Sequence, residues 1–588
     1  MKFLGNVLAT IVGIFIFCML FFGGFIVISA IFRSGDSNKV VVDDNSVIEF
    51  DMKKITNDYG GKYSDPWVTM FSEGKNIGVS DVLTAIKEAK TDEKIKGISI
   101  LNNSSGIGMA QAKELRSALA DFKKSGKFVV AYADMYSQKE YYMASVADTI
   151  YLNPVGEMEF KGLSTELMFF KDLQDKSGVK MEIIRHGKYK SAVEPFLENK
   201  MSDANREQVS ALLNSVWNSV LNDISKSRNI PVTKLNEIAN GLLARTPEMA
   251  KSQHLIDKIA YEDEFRAGIK KALKVDKDDD YHSVSIADYA QKVANSPKSA
   301  STSDRIAVIY AQGEIKDGEG DVSYIGEGSM RRSLKEARED DDVKAIVLRI
   351  DSPGGNALTS DLIWREIELT KKVKPVVVSM GNLAASGGYY IACNANEIFA
   401  EENTITGSIG VFGMLPNFTA LSQKIGINTE VVSTNENAAA YSPFRPLDPK
   451  LRAVVQESVE RIYGTFVTRV ATGRKMTFEQ VDAIGQGRVW SGSEAIKIGL
   501  VDKIGNMDDA LKAAAKLGKI TAYKTRNYPE YEKTLGDMLG GFPFAQSKAS
   551  LIKEEIGAEN FEIWEKVKKM TTAEKGIQAK MDYEIFIK

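Results

Sequence analysis

Residues 345–355 read Ala345-Ile346-Val347-Leu348-Arg349-Ile350-Asp351-Ser352-Pro353-Gly354-Gly355. A run rich in β-branched residues that ends in a glycine turn is typical of a buried strand and the loop after it. A second such run, Val376 to Ser379, follows after a stretch of helical length. Strands that alternate with helical stretches of about 10–15 residues predict βαβ units. We therefore expect an α/β fold with mostly parallel sheets.

The same pattern occurs twice in the chain. Residues 96–182 can be laid on residues 344–430 at a constant offset of 248, without a gap. Identical positions include Gly106 with Gly354, and a pair of adjacent tyrosines in each copy. Glycines and aromatic residues are expected to match where backbone geometry and packing are shared. The sequence therefore predicts two tandem copies of one domain.

Composition indicates where these domains begin and end. Residues 293–303 are small and polar and lack periodicity, which is typical of a linker. This linker separates a first copy at 45–292 from a second copy at 304–523. Residues 524–588 are charged and helical in pattern, so we predict a helical tail to which we assign no chemistry.

The amino terminus carries a long apolar run. Phe3 to Phe32 spans 30 residues without a charge, and about 20 apolar residues suffice to cross a bilayer. A cleaved signal peptide has a shorter apolar region of about 7–15 residues. We therefore expect one uncleaved transmembrane helix, with residues 1–33 as the membrane anchor. Lys2 on one side and Arg33 on the other leave its orientation open.

Composition excludes several classes of function. Lys and Arg number 76 against 79 Asp and Glu, so no basic excess favours nucleic acid as a partner. The two cysteines exclude a disulfide framework, a zinc ribbon and a redox CxxC site. The three histidines form no HExxH motif and no pair at metal-ligand spacing. We expect no metal and no cofactor, and a base other than histidine becomes attractive for any hydrolytic mechanism.

Two glycine-rich loops in the second copy are candidates for chemistry. The first contains Gly354 and Gly355, whose backbone amides are unobstructed by side chains. The second reads Ala384-Ala385-Ser386-Gly387-Gly388, between a predicted strand and a helix. Ser386 would lie at a helix N-terminus, where the amide of Gly387 and the helix dipole favour an oxyanion. Tight turns of an α/β fold remain the alternative interpretation of both loops.

The duplication suggests that one site is shared by the two copies. Position 386 corresponds to Gln138 in the first copy, so that copy has no equivalent serine. A serine nucleophile needs a base, and Lys190 in the first copy is a candidate. Burial and nearby positive charge both favour the uncharged amine, and Arg185, His186 and Lys188 are cationic neighbours in sequence. His186 is the rival base, and a solvated surface lysine is the alternative for Lys190.

Four separated motifs carry a family resemblance. They read Gly187-Lys188-Tyr189-Lys190-Ser191-Ala192-Val193-Glu194-Pro195-Phe196, Asp351-Ser352-Pro353-Gly354-Gly355, Ala384-Ala385-Ser386-Gly387-Gly388-Tyr389 and Thr406-Gly407-Ser408-Ile409-Gly410. In this order they resemble the long, duplicated form of the bacterial signal peptide peptidase A family. The resemblance covers roughly residues 46–506 and the anchor. It implies tandem domains of the Clp protease and crotonase superfamily fold.

The resemblance also implies an activity and its residues. Ser386 corresponds to the nucleophile, Lys190 to the general base, and Ser408 to a second serine that positions the lysine. The amides of Gly354, Gly355 and Gly387 correspond to the oxyanion hole. The counterpart of Ser408 in the first copy is Phe160, consistent with the loss of a site there.

Substrates, partners and location follow from the same resemblance. It implies an endopeptidase that degrades released signal peptides and other apolar peptides, cleaved after small or hydrophobic residues. It also implies a homotetramer, anchored as a single-pass protein in the cytoplasmic membrane, with the catalytic part facing the periplasm or cell exterior. Two alternatives stay open: a crotonase-like acyl-CoA enzyme, and a non-catalytic scaffold at the membrane.

Overall fold

The computed structural model describes residues 40–63, 77–276, 278–296, 302–531 and 577–581, together with isolated positions between 12 and 23. Apart from those isolated positions, the predicted anchor lies outside the described residues. Across the described part of the chain, no helix combines the length and the apolar character needed to cross a bilayer.

The first copy is built on a six-stranded sheet in which every pair of neighbours is parallel, in the order β7-β5-β4-β3-β1-β8. The strands of the first copy, of which β2 and β6 lie outside this sheet, are β1 (Ser46–Phe50), β2 (Lys62–Tyr63), β3 (Ile95–Leu101), β4 (Phe128–Tyr136), β5 (Thr149–Met158), β6 (Lys180–His186), β7 (Lys258–Ile259) and β8 (Ser283–Ser285). Its helices are α1 (Val79–Ala89), α2 (Met109–Lys123), α3 (Gln138–Ala144), α4 (Lys171–Ser177), α5 (Glu194–Leu197), α6 (Asp203–Arg228), α7 (Val232–Asn240), α8 (Pro247–Ser252), α9 (Glu262–Leu273) and α10 (Ile286–Asn295).

The second copy is built on an eight-stranded sheet in the order β18-β16-β14-β12-β9-β20, in which β15 also pairs with β14 and β19 pairs with β15. Its strands are β9 (Arg305–Gln312), β10 (Glu314–Lys316), β11 (Tyr324–Gly326), β12 (Val343–Ser352), β13 (Gly354–Asn356), β14 (Val376–Ala385), β15 (Glu397–Ala400), β16 (Ile405–Gly407), β17 (Val411–Asn417), β18 (Val489–Ser491), β19 (Lys503–Ile504), β20 (Lys524–Tyr528), β21 (Glu530–Tyr531) and β22 (Ile577–Lys580). Its helices are α11 (Glu327–Glu339), α12 (Ala357–Lys371), α13 (Gly387–Ala392), α14 (Thr419–Lys424), α15 (Pro449–Arg474), α16 (Phe478–Ile484), α17 (Gly492–Ala495) and α18 (Met507–Leu517).

The central strands explain why these segments are so apolar. Strands β12 and β14 lie in the middle of the sheet and are buried along almost their whole length. A parallel strand covered on both faces carries a continuous apolar run rather than an alternating one. Helices α12, α13 and α15 supply covering side chains such as Ile367, Tyr389 and Phe466. The predicted α/β class with mostly parallel sheets is confirmed.

A third sheet joins the two copies. Its order is β11-β10-β13-β22-β17-β6, so β6 of the first copy pairs antiparallel with β17 of the second. The pairing runs from Val411 opposite His186 to Asn417 opposite Lys180. Strand β6 leads directly into the segment that carries Lys190. The shared sheet therefore places the candidate base of the first copy next to the second copy.

The segment after residue 523 differs from its prediction where the structure describes it. Residues 524–528 form β20, which extends the second sheet beside β9, and residues 577–580 form β22. The described residues of the predicted helical tail are thus strands, and the remainder lies outside the described residues. Helix α10 also extends to Asn295, inside the predicted linker.

Candidate active site

Ser386 lies at a sharp turn between a strand and a helix. Strand β14 ends at Ala385, and α13 begins at Gly387, with Ser386 at the N-cap position. Its φ of 54° and ψ of −115° are unusual for a residue with a side chain, and such strain is often stored at functional sites. The amide of Ser386 donates to Gly407 O at 2.8 Å, which helps to hold this conformation. A Cβ at Gly388 would lie 2.8 Å from Ser352 O, so glycine permits the close approach of the two loops.

Lys190 is held by a loop that docks on the second copy. The amide of Tyr189 donates to Gln486 O at 2.8 Å. Gly487 packs so closely that a Cβ there would lie 2.6 Å from the Cα of Lys190. On the other side, a Cβ at Gly410 would lie 3.1 Å from Lys190 Cδ. The side chain of Lys190 is therefore confined, and the residue is only 1% exposed.

The confined amine meets two serines. Lys190 Nζ lies 2.9 Å from Ser386 Oγ and 3.1 Å from Ser408 Oγ. It also lies 3.4 Å from the backbone oxygen of Ser408. Both serines are buried, like the lysine. The structure thus brings together Lys190, Ser386 and Ser408, although the lysine and the first serine are 196 residues apart in the chain.

The three glycines named by the sequence surround this group. Gly354 has a φ of 93°, and a Cβ there would lie 2.5 Å from the amide nitrogen of Gly387. A Cβ at Gly387 would in turn lie 3.1 Å from the amide nitrogen of Gly355. The amide of Gly354 itself donates to Ser352 Oγ at 3.1 Å. Gly354 would therefore have to exchange this serine for an oxyanion before it could stabilise one.

The other cationic residues near Lys190 in sequence have separate partners. His186 Nδ1 lies 2.5 Å from Glu460 Oε2, and the ring stacks on Tyr463. Arg185 donates to the backbone oxygen of Lys190 at 3.1 Å, and Lys188 is exposed. The structure therefore brings Lys190, and not His186, to the hydroxyl of Ser386.

A buried charge cluster beneath the site was not anticipated from sequence. Arg349 lies between two carboxylates of the first copy, 2.7 Å from Asp58 Oδ2 and 2.5 Å from Glu114 Oε2. Burial, together with the nearby Asp58 carboxylate, raises the pKa of Asp351 to about 7. Asp351 accepts from the amide of Leu383 at 2.9 Å and thereby ties the Gly354 loop to the Ser386 loop. In the sequence, the available signal for such a cluster was an arginine or aspartate within an apolar run, where the residue is expected to be buried.

A buried apolar cluster lies beside the nucleophile candidate. Its members are Leu212 and Val216 of α6, Ala385, Ile405 and Val489 of the second copy, and Met581. Ala385 directly precedes Ser386, so the cluster is adjacent to the serine. Sequence reasoning missed this cluster because residues from α6 and from the second sheet meet only in three dimensions.

The described residues offer no group of three or more His, Cys, Asp or Glu side chains arranged to hold a metal ion. The groups that the structure gathers around Ser386 are two hydroxyls, one amine and backbone amides.

Comparison with known proteins identifies the family. The description "Peptidase family S49" matches residues 121–276 and 368–521, once in each copy. "Protease 4" of Haemophilus influenzae is 38% identical over 452 residues, which cover 75% of this chain and 73% of that protein. "Protease 4" of Salmonella typhi is 38% identical over 469 residues, covering 78% and 75%. "Serine protease SPPA, chloroplastic" of Arabidopsis thaliana is 32% identical over 497 residues, covering 83% and 73%.

The two family matches confirm the predicted duplication, and the match to the three relatives covers 73–75% of the length of each. The chain therefore belongs to peptidase family S49.

Proposed function

We propose that this serine-type peptidase uses Ser386 as its nucleophile and Lys190 as its general base. The observation that carries the proposal is the 2.9 Å separation of Lys190 Nζ and Ser386 Oγ in a buried setting between the two copies. Burial favours the uncharged form of an amine, and only that form can accept a proton from the hydroxyl. Ser408, 3.1 Å from the same nitrogen, keeps the amine in position.

The reaction is acyl transfer in two stages. Lys190 Nζ takes the proton of Ser386 Oγ as the oxygen bonds to the carbonyl carbon of a peptide. The tetrahedral intermediate then loses its amine, to which the lysine delivers the proton. In the second stage water replaces the amine: the lysine takes a proton from water as the water oxygen bonds to the acyl carbon, and it returns that proton to Ser386 Oγ as the acid product leaves the serine.

Backbone amides around the serine stabilise the developing negative charge. The amide of Gly387 opens α13 and points along the favourable end of its peptide dipoles. Gly354 and Gly355 approach it from the neighbouring loop. Such donors are worth about 10²–10³-fold in kcat when one is removed. The tight packing of the three glycines supports this role, because a side chain at any of them would clash with neighbouring protein atoms and displace the loops that carry the amides.

Released signal peptides and other apolar peptides are the proposed substrates. The apolar cluster of Leu212, Val216 and Val489 beside Ser386 gives the site apolar surroundings, which supports a preference for apolar peptides. The uncharged run from Phe3 to Phe32 supports a single-pass anchor in the cytoplasmic membrane, with the peptidase facing the periplasm or cell exterior. Membership of a peptidase family argues against the acyl-CoA enzyme and the non-catalytic scaffold.

A head-to-tail homotetramer is the proposed assembly. Within one chain, β6 of the first copy pairs with β17 of the second. By the repeat offset, the counterpart of β6 is residues 428–434, which are exposed in this structure. Repeating the same contact between chains would cover this segment, and heterologous contacts form a ring when the rotation from one chain to the next closes. Val432 is fully exposed in that segment. We expect the substitution Val432→Asp to prevent the contact between chains, so that light scattering gives the mass of a single chain.

The proposal is tested by labelling the full chain with a fluorophosphonate, which acylation-competent serines attack. The adduct is located by peptide mass spectrometry. We expect the label on Ser386, with a labelling rate that falls by about 10²–10⁴-fold in Lys190→Ala because the base is lost. Lys188→Ala is the matched control, since Lys188 has the same charge, lies two residues away and is exposed.

Two results would contradict the proposal. An unlabelled Ser386 in the unaltered chain removes the nucleophile. Equal labelling of Lys190→Ala and Lys188→Ala removes the lysine from the mechanism, and a loss confined to His186→Gln would transfer its role to the histidine.

A further inference from the structure

Strand β14 bulges directly before the nucleophile. Its pairing with β12 advances by two residues on β12, from Ile350 to Ser352, but by four residues on β14. Residues 381–383 of β14 therefore lie opposite the single residue Asp351, and the regular ladder of hydrogen bonds is interrupted there. Such bulges bend a strand and change the direction of the residues beside them. The bulge thus lies where its geometry can set the position of Ser386.

The side chain of Asp351 spans this bulge. Its Oδ1 accepts from the amide of Leu383 at 2.9 Å, and its Oδ2 accepts from Asn382 Nδ2 at 3.1 Å. Gly381 permits this approach, because a Cβ there would lie only 3.1 Å from the Cβ and Cγ of Asp351. The carboxylate therefore supplies hydrogen bonds at the point where the ladder is interrupted.

Both loops of the site start next to this link. Gly354 and Gly355 follow Asp351 by three and four residues, and Ser386 follows Leu383 by three. The bond between Asp351 and Leu383 therefore fixes the two loops against each other close to their reacting groups. A misplacement of about 1 Å can cost about 10²-fold in rate even when its origin is remote from the chemistry. We therefore expect the geometry of this link to affect the reaction.

The first copy holds Asp351 from the other side. Gln111 of α2 is fully buried, and its Nε2 donates to Asp351 Oδ2 at 3.3 Å and to Asp58 Oδ1 at 2.8 Å. The backbone amide of Gln111 donates to Asn382 Oδ1 at 3.1 Å. The copy that supplies Lys190 thus also contacts both partners in the bulge.

The equivalent position in the first copy is used differently. Asp351 corresponds to Asn103, whose Oδ1 accepts from the amide of Met52 at 2.7 Å. Met52 follows β1, and not the strand that leads to Gln138. The link to the strand before the nucleophile therefore occurs in the copy that has the nucleophile.

We infer that Asp351 is a positioning residue, whose carboxylate, held by Gln111 of the first copy, sets the distance between the oxyanion glycines and Ser386. This inference rests on the proposed function, which makes Ser386 the nucleophile. The amides meet an oxyanion only in the tetrahedral intermediate. A change in this distance therefore lowers kcat and leaves KM unchanged.

The kinetic test compares three full-length variants. Asp351→Ala removes the acceptor, and we expect kcat for an apolar fluorogenic peptide to fall by about 10–100-fold with KM unchanged. Asp351→Asn keeps an oxygen within reach of the Leu383 amide and should restore kcat to within about threefold. Asn103→Ala is the matched control, because it removes the hydrogen bond at the equivalent position of the first copy, and it should keep kcat. An unchanged kcat in Asp351→Ala, or a fall shared by either other variant, would overturn the inference.

Two inhibitors of the same sequence distinguish positioning from a general structural role. With a peptide aldehyde, Ser386 Oγ bonds to the carbonyl carbon, Lys190 takes the proton, and the aldehyde oxygen lies among the oxyanion amides. The corresponding peptide alcohol binds without forming that bond. In Asp351→Ala we expect the Ki of the aldehyde to rise by the factor by which kcat falls, and the Ki of the alcohol to stay the same. An equal rise for both inhibitors would overturn the inference.

Gln111→Met tests the same link from the first copy, and it keeps the inference testable if Asp351→Ala does not fold. It removes the donor to Asp351 while keeping an unbranched side chain of similar size. We expect kcat to fall by about 3–10-fold with KM unchanged. A folded Gln111→Met chain, checked by its thermal melt, that keeps the kcat of the unaltered chain would overturn the inference.

Ser386→Ala separates this inference from the proposed function. If Ser386→Ala hydrolyses the peptide as the unaltered chain does, the proposed function falls, and the positioning role around that serine falls with it. If Ser386→Ala is inactive while Asp351→Ala keeps its kcat, the inference alone is overturned.

Discussion

At the end of β14 in the second copy, Ser386 has a φ of 54°, whereas its counterpart in the first copy begins an ordinary helix. There, Ser137 caps α3 with a φ of −68°, and Glu140 completes a capping box. Gln138 takes the position of the nucleophile, and its side chain closes a loop by bonding to the amide and the carbonyl of Gly162. The first copy therefore has a turn at the same place without the strained backbone of Ser386, and side-chain hydrogen bonds of Ser137 and Gln138 hold this turn.

The second serine shows the same replacement. Where the second copy has Ser408 beside Lys190, the first has Phe160, buried edge-on against Tyr141 and close to Trp217. Away from the site the copies still agree. The hydroxyl of Tyr141 donates to Leu255 O at 2.9 Å, and that of Tyr389 to Leu500 O at 2.8 Å. Framework contacts are retained in both copies, whereas reactive groups are retained in one.

The largest expected effect separates the two equivalent turns. Ser386→Ala should lower kcat for peptide hydrolysis by at least about 10⁴-fold, because the nucleophile is lost. Gln138→Ala should leave kcat unchanged and lower the melting temperature, because three hydrogen bonds to the 161–162 loop are lost. Hydrolysis assays and thermal melts of both variants check this. Loss of hydrolysis in Gln138→Ala with the fold intact would show that the first copy also has a catalytic turn.

A second prediction concerns the join between the copies. Arg349 corresponds to Leu101 in the first copy, a half-buried leucine packed against an aromatic cluster. Arg349→Leu, which imitates that copy, leaves Asp58 and Glu114 buried without their cation. We expect a loss of about 3–5 kcal/mol in the free energy of unfolding, measured by urea denaturation. A loss below about 1 kcal/mol would mean that the cluster is not what joins the copies.

The smallest expected effect is a pH dependence found in one copy only. Asp351 corresponds to Asn103, which does not titrate and accepts from the amide of Met52 at 2.7 Å. The raised pKa of Asp351, about 7 against an ordinary 3.8, means that the folded state binds the proton more tightly than the unfolded state. Its contribution to stability is therefore largest at low pH and is lost as the pH rises from about 4 to about 7.

Asp351→Asn should remove that part of the slope. Between pH 5 and pH 8 we expect the melting temperature of the variant to fall by a few degrees less than that of the unaltered chain. Plots of melting temperature against pH for the two chains should therefore converge or cross. Parallel curves would show that Asp351 does not titrate within this range.

The sequence predicted the repeated framework well because local patterns carry it. Helices α2 and α12 begin at Met109 and Ala357 and end at Lys123 and Lys371, which keeps the offset of 248 at both ends. The meeting of Lys190 with Ser386 was also predicted, since each copy has half of a recognisable site. The general assignment to the Clp protease and crotonase fold stays a prediction.

Pairings between distant segments could not be read in the same way. The alternation of residues in β6 indicates a strand but not that its partner is β17 of the other copy. Strand β22 lies in a charged stretch whose pattern favours a helix, and only the open edges of β13 and β17 make it a strand. The buried apolar cluster that contains Met581 likewise depends on residues of α6 and the second sheet that are far apart in sequence.

The central claim is that one chain supplies both the lysine of the first copy and the serine of the second. Two mixtures of co-expressed, differently tagged chains test it, each purified through both tags so that only mixed assemblies are assayed. In one, Lys190→Ala is paired with Ser386→Ala; in the other, the double variant is paired with the unaltered chain. Each pair contains one intact lysine and one intact serine, so only their arrangement differs. We predict peptide hydrolysis in the second mixture alone, and equal hydrolysis in both would show that the site is formed between chains.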